Sequence, residues 1–278
     1  QLNEDYRCSE ITAKTRFVGI IGCGDSENIA ARVLNAAFSS MDKPIRCLPL
    51  LPGDLSKFPK MLEKMKINGL IVDPAYGGDL TSLTSSLDEF ATASNRIDVL
   101  KEASGGWTGV STTFAAIEQA GEAVTGSADW TSRGSVMVIG NSSMVRGAAI
   151  FFSQKGAAVS IAGPSDNTAA SMARAVGVRH VGWNAVHDQR ADTLVLADFG
   201  MSCGLAKGQV NPMMIRERMT VVDLTVGLNG SVFADEAVAR GAKYITPASV
   251  FSRQLNLQFR QLTGRDLPVD AFAKGLGE

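Results

Sequence analysis

Short apolar runs alternate along the chain with longer segments in which apolar residues recur every three or four positions. The short runs are typical of buried strands, and the longer segments are typical of amphipathic helices. Near the start, "RFVGIIG" at 16–22 predicts a strand, and the segment 27–39 predicts a helix with Ser26 as its N-cap. This alternation predicts an α/β fold built mainly on parallel strands.

The same pattern continues through the first part of the chain. Strands are predicted at 45–51 and 68–73, and helices at 55–66 and 82–93. The pattern then lapses in "KEASGGWTG", and a glycine-rich loop is predicted over 101–109.

A second unit begins with a predicted helix over 113–123. Its strands are predicted at 136–139, 158–161, 178–182, 193–197, 220–224 and 243–246, with helices near 144–155, 167–176 and 232–240. This spacing suits a doubly wound nucleotide-binding domain. We therefore predict an N-terminal open α/β sheet domain, formed by 1–112 with returning C-terminal helices in 248–278, and a Rossmann-like domain over 113–247.

Composition narrows the class of protein. The 278 residues are 45% hydrophobic and 20% charged, and 27 basic residues against 28 acidic ones give a net charge of −1. Without a basic block, no nucleic-acid or membrane-surface partner is predicted. No apolar run approaches the roughly 20 residues that span a bilayer.

The cysteines predict neither a metal site nor a disulfide framework. Cys8, Cys23, Cys47 and Cys203 form no CxxC pair and do not cluster with a histidine. His180 and His187 are expected to be structural, without a carboxylate partner. Four reduced thiols in a chain of this length favour a cytoplasmic protein.

The segment "VMVIGNSSMVRGAAIFF" at 136–152 has the pattern of a dinucleotide-binding loop. Gly140 can form the tight turn, whereas Ser142 stands where a second glycine normally lets the backbone approach the pyrophosphate. The candidate cofactor-binding residues are Gly140, Asn141, Ser142, Ser143 and Arg146. A strand–helix turn that binds nothing is the alternative.

Several motifs together resemble the shikimate dehydrogenase family across nearly the whole chain. In "FVGIIGCGDSENIAARVLNAAF" at 17–38, Asn35 and Phe38 fall on the family's closing Asn and Phe, and "VMVIGNSSMVRGAA" resembles its nucleotide loop. The C-terminal "SVFSRQLNLQFRQLTGRDLP" is the most specific match. Its matching residues are Gln254, Phe259, Thr263, Gly264 and Pro268. The resemblance implies reduction of 3-dehydroshikimate to shikimate with NADPH, a step of aromatic amino acid biosynthesis.

The resemblance also implies a catalytic Lys beside an Asp, and neither is present. Tyr76 occupies the Lys position, in "GLIVDPAY", and Thr113 occupies the Asp position, in "GVSTTF". Tyr76 is either a substitute proton donor or an exposed loop tyrosine before Gly77 and Gly78. Thr113 is expected to serve as a helix N-cap.

The implied substrate and nucleotide contacts are only partly retained. Gln254 and Thr112 persist, and Asn28 stands in place of one of the two carboxylate-binding serines. Ala30 stands in place of the second of these serines, and Val226 in place of a substrate-binding Tyr. The turn "IAGPSDN" has Pro164 and lacks the NADP-binding Arg that the family has there. NADP is therefore the implied cofactor, with NAD or loss of binding as alternatives.

Three classes of function stay open. One is an oxidoreductase with weakened or lost activity, or with an altered substrate. Another is a module that binds a small polar, shikimate-like ligand without turnover. The third is a structural domain of a longer protein, because "YRCSEITAKTRFVGIIG" resembles the junction behind a fused 3-dehydroquinate dehydratase.

Overall fold

The computed structural model describes residues 8–22, 24–41, 44–51, 53, 57–132, 134–197, 210–224 and 232–277. Two compact units divide the chain. Unit 1 consists of Gln1–Thr92, Arg96–Thr112 and Leu255–Glu278, and unit 2 consists of Ala93–Asn95 and Thr113–Gln254. Cys23, Cys203 and Val226 lie outside the described residues.

Unit 1 is built on a mixed six-stranded sheet. Its strands are β1 (Arg16–Ile21), β2 (Ile45–Leu50), β3 (Ile67–Val72), β4 (Ser86–Leu87), β5 (Val99–Ala103) and β6 (Gly106–Val110), in the order β2-β1-β3-β5-β6-β4. β1 runs parallel to both β2 and β3, whereas β5 is antiparallel to β3 and β6. The predicted open α/β sheet is confirmed.

Unit 2 is built on six strands that pair in parallel. They are β7 (Ser135–Ile139), β8 (Ala158–Ala162), β9 (Arg179–His180), β10 (Thr193–Leu196), β11 (Thr220–Asp223) and β12 (Lys243–Ile245). Their order, β12-β11-β10-β7-β8-β9, is the 3-2-1-4-5-6 order of the doubly wound dinucleotide-binding fold. The predicted Rossmann-like unit is therefore confirmed.

The helices of the described chain connect these strands. They are α1 (Asp25–Ser40), α2 (Phe58–Lys64), α3 (Glu89–Ser94), α4 (Thr113–Thr125), α5 (Ser143–Gln154), α6 (Asp166–Val176), α7 (Val232–Ala239), α8 (Pro247–Thr263) and α9 (Ala271–Leu276).

The C-terminal helices pack on α1 within unit 1. The rings of Phe38 and Phe259 lie 5.5 Å apart, and a Cβ on Gly275 would lie 2.7 Å from the Cα of Val33. Asn35 joins α1 to β2, because its amide donates to the Cys47 carbonyl at 3.0 Å and accepts from the Cys47 N–H at 2.7 Å. Asn35 and Phe38, two residues that carry the family resemblance, thus hold unit 1 together.

Three predictions of local structure in unit 1 are wrong. The segment 101–109 is the turn region of an antiparallel hairpin between β5 and β6 rather than a plain loop. The helix predicted at 82–93 is reduced to α3, because 79–83 forms a 3₁₀ helix and 86–87 joins the sheet as β4. The first long helix is capped by Gly24 rather than Ser26.

The Asp192 carboxylate holds the start of β7 in unit 2. Its Oδ2 accepts the Ser135 N–H at 2.7 Å and the Ser135 hydroxyl at 2.8 Å. These hydrogen bonds hold the pKa of Asp192 below its ordinary value. A depressed folded-state pKa contributes stability above the unfolded-state value of about 3.9, and this stability is lost as the pH falls through the folded pKa.

We expect Asp192→Asn to lower the midpoint of thermal unfolding near neutral pH. The difference from the natural chain should shrink as the pH falls below about 4, because both chains then carry a neutral side chain at this position. Circular dichroism melts between pH 7 and pH 2.5 measure this difference, with the exposed Asp188→Asn as the matched control. A difference that stays constant over this range would contradict the assignment.

Candidate functional site

The loop after β3 holds Tyr76, the residue at the implied lysine position. The Tyr76 N–H donates to the Asp73 carbonyl at 3.0 Å, which closes a turn directly after the strand. The Tyr76 side chain is half-buried and packs against the hydrophobic core of unit 1. The expectation of an exposed tyrosine is therefore wrong, because the apolar ring is partly removed from water by this packing.

A buried arginine lies against the same loop. Arg96 is only 2% exposed, and a Cβ on Gly77 would lie 3.0 Å from its Cγ and 2.5 Å from the carbonyl oxygen of Ile97. Burial lowers the pKa of Arg96, whereas the negative charges of Asp98 and Asp73 raise it. A guanidinium is thus held among carboxylates in the interior of unit 1.

Asp98 is fully buried and binds the threonine that follows β6. Its carboxylate accepts the Thr112 N–H at 2.8 Å on both oxygens, and Oδ1 also accepts the Thr112 hydroxyl at 2.8 Å. The Asp98 carbonyl accepts from Val72 N–H at 2.9 Å and from the Gln258 amide at 3.4 Å. Thr112, one of the predicted substrate contacts, is therefore rigidly held.

The beginning of α1 carries the two positions implied to bind the substrate carboxylate. Asn28 is exposed in the first turn of α1, and its N–H donates to the Gly24 carbonyl at 3.3 Å. Ala30 is buried and offers no polar group. A two-hydroxyl clamp for a carboxylate is therefore absent at these two residues.

Unit 2 brings together two predicted site residues that are far apart in sequence. The Gln254 amide donates to the Thr113 hydroxyl at 2.9 Å. Thr113 is only 1% exposed and is the first residue of α4, so it belongs to the first helical turn rather than to the expected N-cap. The position implied for a catalytic Asp is thus a neutral hydroxyl bonded to an amide.

The glycine loop after β7 forms a turn that only glycine adopts without strain. Gly140 has φ +146°, and α5 begins at Ser143, with Ser142 at its N-cap. The first intrahelical bond of α5 runs from Val145 N–H to the Ser142 carbonyl at 3.1 Å. The earlier N–H groups have no acceptor within the helix, which is the property that binds phosphates at helix N-termini.

Asn141 ties this loop to the turn after β8. With its amide oriented so that both ends are satisfied, it donates to the Gly140 carbonyl at 3.1 Å and accepts the Ser165 N–H at 3.0 Å. Gly163 is required there, because a Cβ would lie 2.3 Å from the Gly140 carbonyl oxygen. Pro164 follows Gly163, so the turn 163–165 contributes no cation.

The histidine prediction needs one correction. His180 does have a carboxylate partner, since its Nε2 lies 3.2 Å from Asp166 Oδ1, which also accepts the Trp183 N–H at 3.0 Å. Asp166 is thereby engaged at the start of α6.

The described part of the chain shows neither a metal site nor a membrane span. No group of His, Cys, Asp or Glu side chains there could hold a metal ion. No helix in these ranges combines the length and the apolar character that a membrane span requires. Of the cysteines within the ranges, Cys8 is exposed and Cys47 is buried, and neither is in a disulfide.

Arg96 and Asp98 were not among the residues predicted for the site. The signal was available in "RIDVL" at 96–100, where two opposite charges flank Ile97 directly before an apolar strand. Charged residues are almost never fully buried unless they are paired. Two charges at the edge of a buried strand therefore indicate an internal ion pair.

The order of the strands in unit 2 and the Gly140 turn define the fold class, which is a doubly wound α/β fold of the dinucleotide-binding type. No family model matches the chain. A shikimate dehydrogenase (NADP(+)) from Anaeromyxobacter dehalogenans is 26% identical over 277 residues, covering 96% of this chain and 97% of the relative.

Solved structures agree with this similarity. A shikimate dehydrogenase from Aquifex aeolicus has a TM-score of 0.82 at 18% identity, covering 96% of this chain and 100% of that one. A shikimate dehydrogenase in complex with NADP+ has a TM-score of 0.81 at 20% identity, covering 96% of both chains. The resemblance predicted from the sequence is confirmed: the chain is similar to shikimate dehydrogenases over 96% of its length and has the fold of those enzymes.

Proposed function

We propose that this chain is an NADP-linked oxidoreductase that interconverts 3-dehydroshikimate and shikimate at a strongly reduced rate. The observation that carries the proposal is the pairing of Gln254 with Thr113 at the start of α4. The amide implied to bind substrate is retained, whereas its neighbour lacks the carboxylate implied for proton transfer. Binding is therefore better preserved than chemistry.

In this proposal unit 1 is the substrate-type domain and unit 2 the nucleotide-binding domain. Asn28, Thr112 and Gln254 contact the substrate, which is a small polar ring compound. Gly140, Asn141, Ser142, Ser143 and Arg146 hold the dinucleotide. Tyr76 and Thr113 do not carry the charges that the implied Lys and Asp would have.

The loop after β7 is compatible with a dinucleotide. The Gly140 turn and the N-terminal N–H groups of α5 suit a pyrophosphate. Arg146 adds a buried Nε that has no hydrogen-bond partner among the described residues, which a phosphate oxygen could provide. The Ser142 side chain limits how closely the loop backbone can approach a pyrophosphate, although its hydroxyl is able to donate to phosphate.

When bound, NADPH supplies the hydride for reduction of the ketone. The chain must then place a proton on the ketone oxygen, and a positioned general acid contributes about 10²–10⁴ in rate. A threonine hydroxyl is a poor proton donor. The Tyr76 ring packs against the core, which restricts its movement toward a substrate. Orientation of the substrate by Thr112 and Gln254 is the contribution that these residues retain.

We expect the chain to discriminate weakly between NADP+ and NAD+, with dissociation constants within about 10-fold of each other. The turn 163–165 offers neither a cation for the 2′-phosphate nor an acid for a free ribose hydroxyl, and Asp166 is engaged by His180 and Trp183. Isothermal titration of both nucleotides measures the ratio. The variant Pro164→Arg provides the matched comparison and should favour NADP+, and a ratio above about 100 in the natural chain would contradict this account.

The proposed function is tested by prolonged incubation of concentrated protein with shikimate and NADP+, followed by identification of the ketone product. A small amount of 3-dehydroshikimate that scales with protein concentration supports the proposal. Absence of product together with absence of nucleotide binding refutes it. The single variant Gln254→Ala distinguishes a site reaction from a contaminant, because it should lower both binding and product.

A second candidate is a non-catalytic ligand-binding or structural domain of a longer bifunctional protein. It is favoured by the replacement of both acid–base positions, Tyr76 and Thr113. A fused or associated dehydratase domain and a cytoplasmic location belong to this proposal. The lack of a disulfide at Cys8 and Cys47 is compatible with a reducing compartment.

A further inference from the structure

The hydrogen bonds around Asp98 fix the direction in which the Thr112 hydroxyl donates its proton. A threonine hydroxyl has one proton to donate and two lone pairs that accept. The Thr112 proton is directed to Asp98 Oδ1 at 2.8 Å, and the Thr112 N–H also points to this carboxylate. The hydroxyl oxygen is therefore left with acceptor capacity only.

The Asp98 carboxylate is buried and accepts hydrogen bonds from Thr112. Asp98 is 1% exposed, the buried Arg96 cation interacts with it electrostatically, and the N–H and O–H of Thr112 both donate to it. Because both Thr112 groups donate to it, the Asp98 carboxylate acts only as an acceptor toward Thr112.

The backbone holds this arrangement in one register. The Asp98 N–H donates to the Val110 carbonyl at 2.9 Å, and the Asp98 carbonyl accepts the Val72 N–H at 2.9 Å. Asp98 is thus bonded to both neighbouring chain segments of the sheet, and its side chain reaches the residue that follows β6. Rotation of the Thr112 hydroxyl away from Asp98 would break one hydrogen bond to a buried carboxylate, which costs free energy.

The neighbouring Ser111 provides a second, independent observation. It is 7% exposed, and its Oγ has no hydrogen-bond partner among the described residues. Its N–H donates to the Asp88 carboxylate at 3.1 Å. A buried hydroxyl that lacks a partner costs free energy, so the segment 111–112 is better satisfied when a polar ligand is bound.

We propose that Asp98 is a positioning residue that makes Thr112 an obligate hydrogen-bond acceptor, so that Thr112 selects a ligand hydroxyl over a carbonyl or a carboxylate. The inference rests on the proposed function, because it takes Thr112 to contact the ligand. It adds the chemical identity of the group that Thr112 recognises. It also assigns a role to a carboxylate that the family resemblance does not place in the site.

The test uses shikimate and a set of analogues in which one ring hydroxyl at a time is replaced by fluorine. Fluorine is similar in size to a hydroxyl but cannot donate. With saturating NADP+, one analogue should bind the natural chain about 10-fold or more weakly than shikimate. In Thr112→Val this penalty should disappear, whereas Thr112→Ser should keep it.

Asp98→Asn separates positioning from a general structural effect. An asparagine amide can donate to Thr112, which frees the Thr112 proton for the ligand, so the fluorine penalty should fall toward 1. Asp88→Asn is the matched control, because Asp88 accepts backbone N–H groups of Ser111 and Ala91 but does not contact the Thr112 hydroxyl. An unchanged penalty in both Asp98→Asn and Thr112→Val overturns the inference.

A second measurement covers the case in which Asp98→Asn does not fold. In the natural chain without ligand, NMR should detect the Thr112 hydroxyl proton as a slowly exchanging signal that is absent from Thr112→Val. Absence of this signal overturns the inference. If shikimate does not bind at all, the proposed function fails, and the hydroxyl signal alone then supports or overturns the role of Asp98.

Discussion

The double variant Tyr76→Lys, Thr113→Asp is expected to oxidise shikimate with NADP+ about 100-fold faster than the natural chain, since restored acid–base chemistry contributes 10²–10⁴ in rate. A carboxylate at position 113 would lie in the first turn of α4, where the helix dipole favours a negative charge. It would also accept the hydrogen bond that Gln254 now donates to Thr113.

Steady-state kinetics of the natural chain, both single variants and the double variant measure this effect. Thr113→Asn is the control, because it has nearly the shape of aspartate but cannot ionise, and it should leave the rate near that of the natural chain. If the Lys and the Asp work as a catalytic pair, as the resemblance implies, the gain should be larger than the product of the two single gains. A double variant no faster than the natural chain would show that substrate orientation, rather than proton transfer, limits the rate.

Arg96→Met is expected to destabilise the protein by about 3–5 kcal/mol. Arg96 is 2% exposed and is held among Asp98 and Asp73, so its removal leaves buried negative charge without its compensating cation. Methionine nearly retains the length of the side chain, which limits the contribution of a cavity. The effect is therefore mainly electrostatic.

Urea unfolding at neutral pH, followed by circular dichroism, measures the loss of Arg96. Arg265→Met is the control, because Arg265 is exposed and its replacement should change the free energy of unfolding by less than about 0.5 kcal/mol. A change of less than about 1 kcal/mol for Arg96→Met would show that Arg96 does not compensate a buried charge.

The fold was predictable from the sequence where periodicity was undisturbed. In unit 2 the apolar runs at 136–139 and 158–161 end at turn residues and are followed by helical patterns, so these strands and the Gly140 turn were placed correctly. In unit 1 the glycines of "EASGG" predicted a loop, although they form the turn of the hairpin between β5 and β6. Glycine marks a turn in both cases and does not by itself indicate whether the flanking residues pair.

The candidate site was predictable residue by residue but not in its contacts. The resemblance singled out Thr113 and Gln254, and their contact depends on a fold that joins positions 141 residues apart. Arg96 and Asp98 were missed because burial of a charge is decided by tertiary packing, which no local pattern records. The packing of the Tyr76 ring against the core escaped prediction for the same reason.

The central claim, that binding persists while the chemical step is slow, is tested most directly by single-turnover kinetics. Protein in excess over a limiting amount of NADP+ is mixed with saturating shikimate, and the formation of NADPH is followed by absorbance. The account predicts saturable binding and a single-turnover rate constant equal to the steady-state kcat, well below the usual 1–10³ s⁻¹. A single-turnover rate within that usual range would contradict it, because proton transfer would then be intact without the Lys and Asp pair.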